Sequence, residues 1–166
     1  MMVIPIKLPE LKVHIKADQR LVFQLLSAIG QGQMPGSEGS SKVLERNGDT
    51  MVAEFTTPVK TLTGRRSYRT VEEVTLYPSE RITFRGLEGP LPHMQEEFRL
   101  EGEEGCTDLY YTGEFGMGYW VFGWLMARFY VRGLLKKTIL DHMMEIKEAA
   151  EARAQRSRVF ANTCAH

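Results

Sequence analysis

Two glutamates stand at positions where a carboxylate is unfavourable. Glu96 alternates along the sequence with Met94 and Phe98, and Glu72 alternates with Val74. Side chains two residues apart share one face of a strand, so both glutamates are expected to face an apolar interior. A buried glutamate has a raised pKa and can act as a general acid or base. These two residues are the main candidates for chemistry.

Three interpretations of the glutamates remain open from the sequence. They can orient a mostly apolar ligand, as the few polar groups of a small-molecule pocket do. They can be structural, with Arg128 or a sheet arginine neutralising the charge. A β-bulge can also reverse the phase and place the carboxylates in water.

No stronger catalytic or metal-binding pattern is present. His93 stands beside the turn-rich segment GLEGPLP, and His14 and His142 have no chelating spacing. Cys106 and Cys164 are also far apart in the chain. The sequence contains no nucleophile elbow, P-loop, dinucleotide-binding glycine pattern or zinc spacing. It therefore predicts no metal and no cofactor.

Composition is typical of one globular domain. The chain has 166 residues, 43% hydrophobic, with 21 Lys plus Arg and 21 Asp plus Glu. A balanced charge gives no overall field to attract nucleic acid, so no nucleic-acid partner is expected. Two cysteines leave a disulfide open, but a reducing compartment is the simpler interpretation. The first residues do not resemble a signal peptide, and a cytoplasmic location is predicted.

The N-terminal third reads as a strand, a helix and a loop. Residues 11–16 alternate between apolar and polar side chains, which predicts a strand. Asp18 stands at a helix N-cap position before an apolar stripe that ends at Gly30. Residues 30–41 are rich in Gly and Ser and predict a loop. Asn47-Gly48 predicts a two-residue hairpin turn in which both residues have positive φ.

The remainder predicts an antiparallel meander and a closing helix. The strands are expected over residues 42–46, 51–59, 64–77, 81–85, 94–100 and 107–115. From residue 119 the apolar period becomes helical, and the helix is expected to run to about residue 156. Its first half is apolar on most sides, which predicts that this end is deeply buried. One domain is expected over residues 1–157, with a frayed tail over 158–166.

The stretch from Phe115 to Ala127 carries no charge. It is shorter than the roughly 20 apolar residues that a membrane span needs, so a buried helix start is favoured. Five aromatic residues cluster at the start of the long helix: Trp120, Phe122, Trp124, Phe129 and Tyr130. They fit either a packed core or the lining of a cavity or lipid-facing gate.

Several segments, taken in order, resemble the START-like or Bet v 1-like superfamily, in particular its polyketide cyclase/dehydrase and lipid-transport branch. These are IKA at residues 15–17 followed by Val22-Phe23, the hairpin VLERNGDTMVAEF, the strand pair YPSERITFRG and the hairpin FRLEGEEGCTDLYY. The resemblance spans about residues 10–155. Asp18 replaces the usual proline, and the Gly-rich segment replaces a second helix.

The resemblance implies an α+β helix-grip fold, in which a curved antiparallel sheet of about seven strands wraps around a long C-terminal helix. It also implies a cavity for a lipid, quinone, polyketide or similar ligand. The inward faces of the predicted elements indicate the ligand-binding residues. These are Phe55, Tyr68, Glu72, Phe84, Glu96, Phe98, Tyr111, Trp124 and Arg128.

Three functions follow from this sequence. The first is binding or transport of a small hydrophobic ligand. The second is a polyketide cyclase or dehydratase that uses a cavity glutamate or His93 as acid–base group. The third is a ligand-free interaction module, in which the aromatic start of the closing helix makes a homodimer or a transient membrane-surface contact. Monomer and homodimer both remain open.

Overall fold

A computed structural model describes residues 3–30, 32–33, 39–118, 120–156 and Cys164. The predicted tail, 158–166, lies outside the described residues except for Cys164, as do residue 31 and residues 34–38 of the predicted loop. The strands are β1 (Ile6–Lys7), β2 (Leu11–Ile15), β3 (Gly32–Gln33), β4 (Ser40–Asn47), β5 (Thr50–Thr61), β6 (Gly64–Tyr77), β7 (Arg81–Glu88), β8 (His93–Glu103) and β9 (Cys106–Gly116). The helices are α1 (Gln19–Leu26), α2 (Trp120–Met126) and α3 (Arg132–Arg156), with a π-helical segment (Ala127–Val131) between α2 and α3.

The strands form one antiparallel sheet in the order β1-β9-β8-β7-β6-β5-β4-β3, and β2 also pairs with β9. The long C-terminal helix packs against this sheet and buries Ile139, Met143 and Ile146. This is the helix-grip fold predicted from the sequence. The strands beyond the predicted seven are the two-residue pieces β1 and β3 at the sheet edges.

Polar contacts fasten α3 to the first strands. The Lys147 ammonium donates to the His14 carbonyl (2.8 Å) and contacts the Glu151 carboxylate, 2.6 Å away. Glu151 in turn accepts from the Lys16 backbone N–H at 3.0 Å. These contacts attach the distal half of α3 to β2, so a space can remain beneath its proximal half.

Two local predictions need correction. The β4–β5 turn is Gly48-Asp49, because Asn47 pairs with Thr50 as the last rung of the ladder. Of the two turn residues only Gly48 has positive φ, at 64°. Helix α1 ends at Leu26 rather than near Gly30, because the Ser27 side chain and backbone N–H both bond the Phe23 carbonyl and close the last turn.

The start of the C-terminal helix is exposed, although the sequence predicted deep burial. Phe122 is 73% exposed and Phe129 is 76% exposed, while Trp124 is half-buried against the core. An uninterrupted run of apolar residues places side chains on every side of a helix, and the sheet covers only one side. Within the described residues, no helix combines the length and the apolar character that a membrane span requires.

Candidate functional site

A cavity of about 870 Å³ lies between the sheet and the C-terminal helix. That volume is within the range of about 300–1,000 Å³ typical of small-molecule sites. Strands β5 to β8 and helix α3 supply most of its walls, and exposed residues such as Arg65 and Arg66 lie at one end. The apolar part of the lining consists of Leu26, Ile29, Phe55, Val59, Phe84, Leu91, Met94, Phe98, Met117, Val131, Leu134, Leu135 and Ile139.

A row of aromatic rings crosses the sheet beneath the cavity. The ring centroids of Phe55 and Phe84 lie 6.1 Å apart, those of Phe84 and Phe98 lie 6.0 Å apart, and those of Phe98 and Tyr111 lie 5.2 Å apart. Phe84, Phe98 and Tyr111 stand on the successive strands β7, β8 and β9, and Phe55 reaches Phe84 from β5, on the far side of β6. All four share one face because the pleat turns every second side chain of a strand to the same side. Edge-to-face packing holds the rings in place and makes a rigid apolar floor.

Glu96 lies within this apolar floor. The Tyr111 hydroxyl donates a 2.7 Å hydrogen bond to Glu96 Oε2. Glu96 is paired across the strands with Gly113, and a Cβ at Gly113 would overlap the Tyr111 hydroxyl. The missing side chain at position 113 therefore makes room for the tyrosine to fold back along β9 and reach the carboxylate.

Burial raises the pKa of Glu96 to about 7. Desolvation is the main cause, the nearby charge of Glu72 adds to it, and the Tyr111 hydrogen bond opposes it. Burial and the Glu96 carboxylate raise the pKa of Tyr111 in turn, so the phenol keeps its proton and remains a donor. Glu96 is thus poised to gain or lose a proton near neutral pH.

Glu72 is the second carboxyl group of the cavity. Its side chain is 8% exposed and accepts a 3.0 Å hydrogen bond from the Thr70 hydroxyl. Desolvation raises the pKa of Glu72 above its usual value, against the smaller effect of that hydrogen bond. Opposite Glu72 on β7 stands Gly86, so no side chain there separates the two carboxyl groups.

The structure bears on two of the three interpretations of the glutamates, the reversed phase and the ion pair. Both face inward, in phase with the apolar residues of their strands, even though the β6–β7 register shifts at Val71 and Glu72. Within the described part of the chain, no arginine or lysine forms an ion pair with either carboxylate. Arg128 is exposed, and its guanidinium lies 5.8 Å from the Phe129 ring centroid. Hydroxyl groups of Thr70 and Tyr111, rather than cations, accompany these carboxyl groups.

The structure brings most of the predicted ligand-binding residues to this one cavity. Six line it directly: Phe55, Tyr68, Glu72, Phe84, Glu96 and Phe98. Tyr111 lies behind Glu96 and acts on the cavity through its hydrogen bond. Trp124 and Arg128 are not among the lining residues: Trp124 packs half-buried against the core, and Arg128 is exposed.

The closing helix also contributes polar groups that the sequence interpretation did not assign to the site. His142 lines the cavity, and its ring centroid lies 6.2 Å from that of Phe98. Its spacing from Ile139 and Ile146 places it on the buried side of the helix, and this helical period was the available signal. His93 does not line the cavity, and its Nε2 lies 2.8 Å from Glu114 Oε1.

Metal-ligating side chains do not converge in the cavity. The described residues contain one group of three potential ligands, His14, Cys106 and Cys164, which belongs to another part of the molecule. Beside the apolar floor, the cavity offers the carboxyl groups of Glu72 and Glu96, the hydroxyls that bond them and the His142 imidazole. Further hydroxyl groups and charged side chains, such as Tyr68 and Lys137, also line it.

The chain is a helix-grip protein with a cavity between the sheet and the closing helix. Residues 10–145 match the family described as polyketide cyclase / dehydrase and lipid transport, and the chain belongs to that family. No curated protein sequence matches the chain.

Solved structures share the fold. The Zhui aromatase/cyclase of a Streptomyces species is 21% identical, with a TM-score of 0.76, and the match covers 91% of this chain and 96% of that one. The di-domain ARO/CYC BexL is 19% identical, with a TM-score of 0.73, over 90% of this chain and 51% of that one. A START superfamily protein of Mycobacterium smegmatis is 15% identical, with a TM-score of 0.62, over 90% and 98%.

Proposed function

We propose that this protein binds a small, mostly apolar molecule that carries an oxygen function, and that it does so in the cavity under α3. The observation that carries the proposal is the combination of an aromatic floor with the two carboxyl groups of Glu72 and Glu96. Apolar walls supply affinity, and a few placed polar groups orient the ligand. A carboxyl group that titrates near pH 7 can donate or accept a hydrogen bond, which suits a carbonyl or hydroxyl group.

Extraction of the purified protein followed by mass spectrometry tests this proposal. We expect an apolar, oxygen-containing molecule in stoichiometric amount, and release of that molecule should expose the cavity to an apolar fluorescent dye. An empty protein that also fails to bind such dyes would contradict a ligand-binding function.

Acid–base catalysis is the second candidate, in a cyclase or dehydratase reaction. The pKa of Glu96, about 7, favours it, because proton transfer is most effective when the pKa of the catalytic group lies near the working pH. In this role Glu96 would exchange a proton with a bound polyketide-like substrate, while Tyr111 holds the carboxyl group in place. The Zhui and BexL structures are those of aromatase/cyclases, which supports testing this class of substrate.

The variants Glu96→Gln and Glu72→Gln separate binding from catalysis. If Glu96 transfers the proton, turnover of a polyketide-like substrate falls by about 10²- to 10⁴-fold in Glu96→Gln, the usual contribution of general acid–base groups. Ligand binding survives in the same variant because glutamine keeps the shape of the side chain. Full activity in both variants would exclude the acid–base roles.

The exposed helix start supports a transient contact with an anionic membrane surface. Phe122 and Phe129 project into solvent, and the exposed cations Arg128, Lys136 and Lys137 follow on the same helix. Apolar side chains beside basic ones are the pattern of interfacial membrane binding. The Leu62 backbone N–H, at the tip of the β5–β6 hairpin, contacts the hydroxyl of Tyr130, which lines the cavity, so this surface adjoins the pocket.

Cosedimentation with anionic and neutral vesicles measures this contact. We expect binding to anionic vesicles that weakens in Phe122→Ser/Phe129→Ser. The matched control is Leu140→Ser, an exposed apolar residue farther along α3. Light scattering on the same samples measures the molar mass. A homodimer that does not bind vesicles is the alternative outcome. A cytoplasmic location also remains a proposal, and the redox state of Cys106 and Cys164 in cells tests it.

A further inference from the structure

A cluster of His14, Cys106 and Cys164 lies on the outer face of the sheet, away from the cavity. The potential ligand atoms of these three residues all lie within 4.8 Å of one another. Cys106 begins β9, His14 stands on the adjacent strand β2, and Cys164 lies beside both. The two cysteine sulfurs are joined in a disulfide that links positions 58 residues apart. None of these residues lines the ligand cavity.

The histidine is oriented by a carboxylate. His14 is paired across the strands with Asp108, and its Nδ1 lies 2.8 Å from Asp108 Oδ1. In a neutral histidine that donates its Nδ1 proton to a carboxylate, the lone pair is on Nε2. Nε2 lies 4.0 Å from the sulfur of Cys164. A histidine that binds a carboxylate through one ring nitrogen and a metal through the other is the usual arrangement of a metal-ligating histidine.

We propose that the reduced form of this cluster is a zinc site, with Cys106, Cys164 and His14 as ligands and Asp108 as the residue that positions the histidine. Zinc favours two thiolates and an imidazole, and each ligand contributes one bond of about 2.0–2.3 Å. Two thiolates on one tetrahedral zinc lie about 3.8 Å apart, given Zn–S bonds of about 2.3 Å. The present cluster dimension of 4.8 Å is compatible with that geometry.

Disulfide and metal site are alternative states of the same two sulfurs. A dithiol reductant gives two electrons and two protons to the Cys106–Cys164 bond and is itself oxidised to a disulfide. Each cysteine thiol then releases its proton when its sulfur binds the metal. Two thiolates neutralise the charge of the zinc ion. In an oxidising compartment the disulfide links Cys164 to β9, and in a reducing one the metal does so.

A surface depression gives ions and reductants access to the cluster. It has a volume of about 360 Å³. Its lining consists of Lys12, His14, Glu101, Glu103, Cys106 and Asp108. The three carboxylates outnumber the single lysine, so the local charge favours approach of a cation. This surface is independent of the cavity, and the zinc proposal does not rest on the proposed ligand.

Competition between the full-length protein and a chromophoric chelator measures zinc binding. The protein is reduced with a phosphine, because thiol reductants bind zinc themselves. We expect one zinc per reduced chain and none per oxidised chain. Cobalt(II) in place of zinc should give a thiolate-to-metal charge-transfer band, which a histidine or carboxylate site on the surface would not give.

Three variants and one control test the assignment of the ligands. Loss of a residue that only positions a ligand costs roughly 10- to 100-fold in metal affinity. We expect Asp108→Asn to lose zinc affinity by about that factor and to keep the cobalt band. Cys164→Ser and His14→Ala should lose more zinc affinity than that. The matched control is His93→Ala, because His93 also contacts a carboxylate, at 2.8 Å, but belongs to no metal-ligand group among the described residues. Far-ultraviolet circular dichroism confirms that each variant is folded. The proposal would be overturned if the reduced wild type bound zinc no more tightly than Cys164→Ser, or if cobalt gave no charge-transfer band.

Discussion

At the scale of single residues, the polar groups in the apolar floor of the cavity come from three strands. Glu96 and Tyr111 share a hydrogen bond on β8 and β9, and Glu72 adds its charge from β6. The apolar rings around them remove water, which raises the pKa of the carboxyl groups and strengthens each remaining interaction. A ligand that supplies a donor or acceptor here can therefore make the hydrogen bonds that water would make at an exposed carboxyl group.

The raised pKa of Glu96 predicts a pH-dependent stability. Between pH 4.5, the ordinary value, and about 7, the folded protein holds a proton on Glu96 that the unfolded chain has lost. The free energy of unfolding therefore falls as the pH rises through this window, by up to about 3 kcal/mol at 1.36 kcal/mol per pKa unit. Urea unfolding of Glu96→Gln should lack this part of the fall.

The control for this measurement is Glu97→Gln, whose side chain lies on the opposite face of β8. It leaves Glu96 in place and should keep the fall in stability. Equal pH dependence in Glu96→Gln and the wild type would show that Glu96 does not hold the proton.

The hydrogen bond from Tyr111 predicts how the pKa of Glu96 responds to mutation. Its hydroxyl stabilises the carboxylate form of Glu96, so Tyr111→Phe should raise the pKa of Glu96 by about one further unit, the worth of a hydrogen bond to a charged group. Gly113→Ala should act in the same direction, because its Cβ displaces the hydroxyl. Carbon-13 NMR titration of the glutamate carboxyls measures the shift. Thr112→Ala, which is exposed on the other face of β9, should leave it unchanged.

At the scale of elements, local rules set the helix boundaries. Asp18 caps α1, and its side chain accepts a 2.9 Å hydrogen bond from the Arg20 backbone N–H. Farther along, α2 continues through the π-helical segment into α3, and a π-turn shifts the faces of the helix on its two sides. Tyr130, inside that segment, lines the cavity, while Phe129 beside it is exposed.

Loss of the α1 cap should be measurable. Asp18→Ala removes the acceptor of an otherwise unpaired N–H and should lower the free energy of unfolding by about 1 kcal/mol. Gln24→Ala, an exposed change within the same helix, should alter it far less. Thermal unfolding compares the two. An unchanged unfolding temperature in Asp18→Ala would contradict the capping role.

At the scale of the whole molecule, α3 packs against β2 and α1, and the cavity occupies the space between α3 and strands β5 to β8. Leu135 lines that space from α3, and Leu140 lies on the exposed side of the same helix. Leu135→Trp should therefore fill part of the cavity and weaken binding of an apolar dye by about tenfold, equivalent to about 1.4 kcal/mol. Fluorescence titration measures it. Leu140→Trp is the matched control, and equal loss in both variants would place the dye elsewhere.

Much of this molecule could be predicted from local patterns. Alternation of apolar and polar residues predicted the strands, because the two-residue period of a pleated strand is a property of the backbone. The same alternation indicated an inward phase for Glu72 and Glu96 but left a β-bulge open. Local patterns also predicted the N-cap at Asp18 and the extent of the closing helix. Together with the ordered motifs, these patterns were enough for the helix-grip fold.

Features that depend on distant contacts could not be predicted in this way. The start of the closing helix is exposed because the sheet does not extend over it. The extent of the sheet cannot be inferred from the apolar sequence of the helix. The hydrogen-bond partners of Glu96 depend on the register of β8 and β9 and on the gap at Gly113. The approach of Cys164 to Cys106 and His14 brings together residues as far as 150 positions apart. Spacing along the chain carries no signal for such a cluster, because only the folded backbone sets the distances between its atoms.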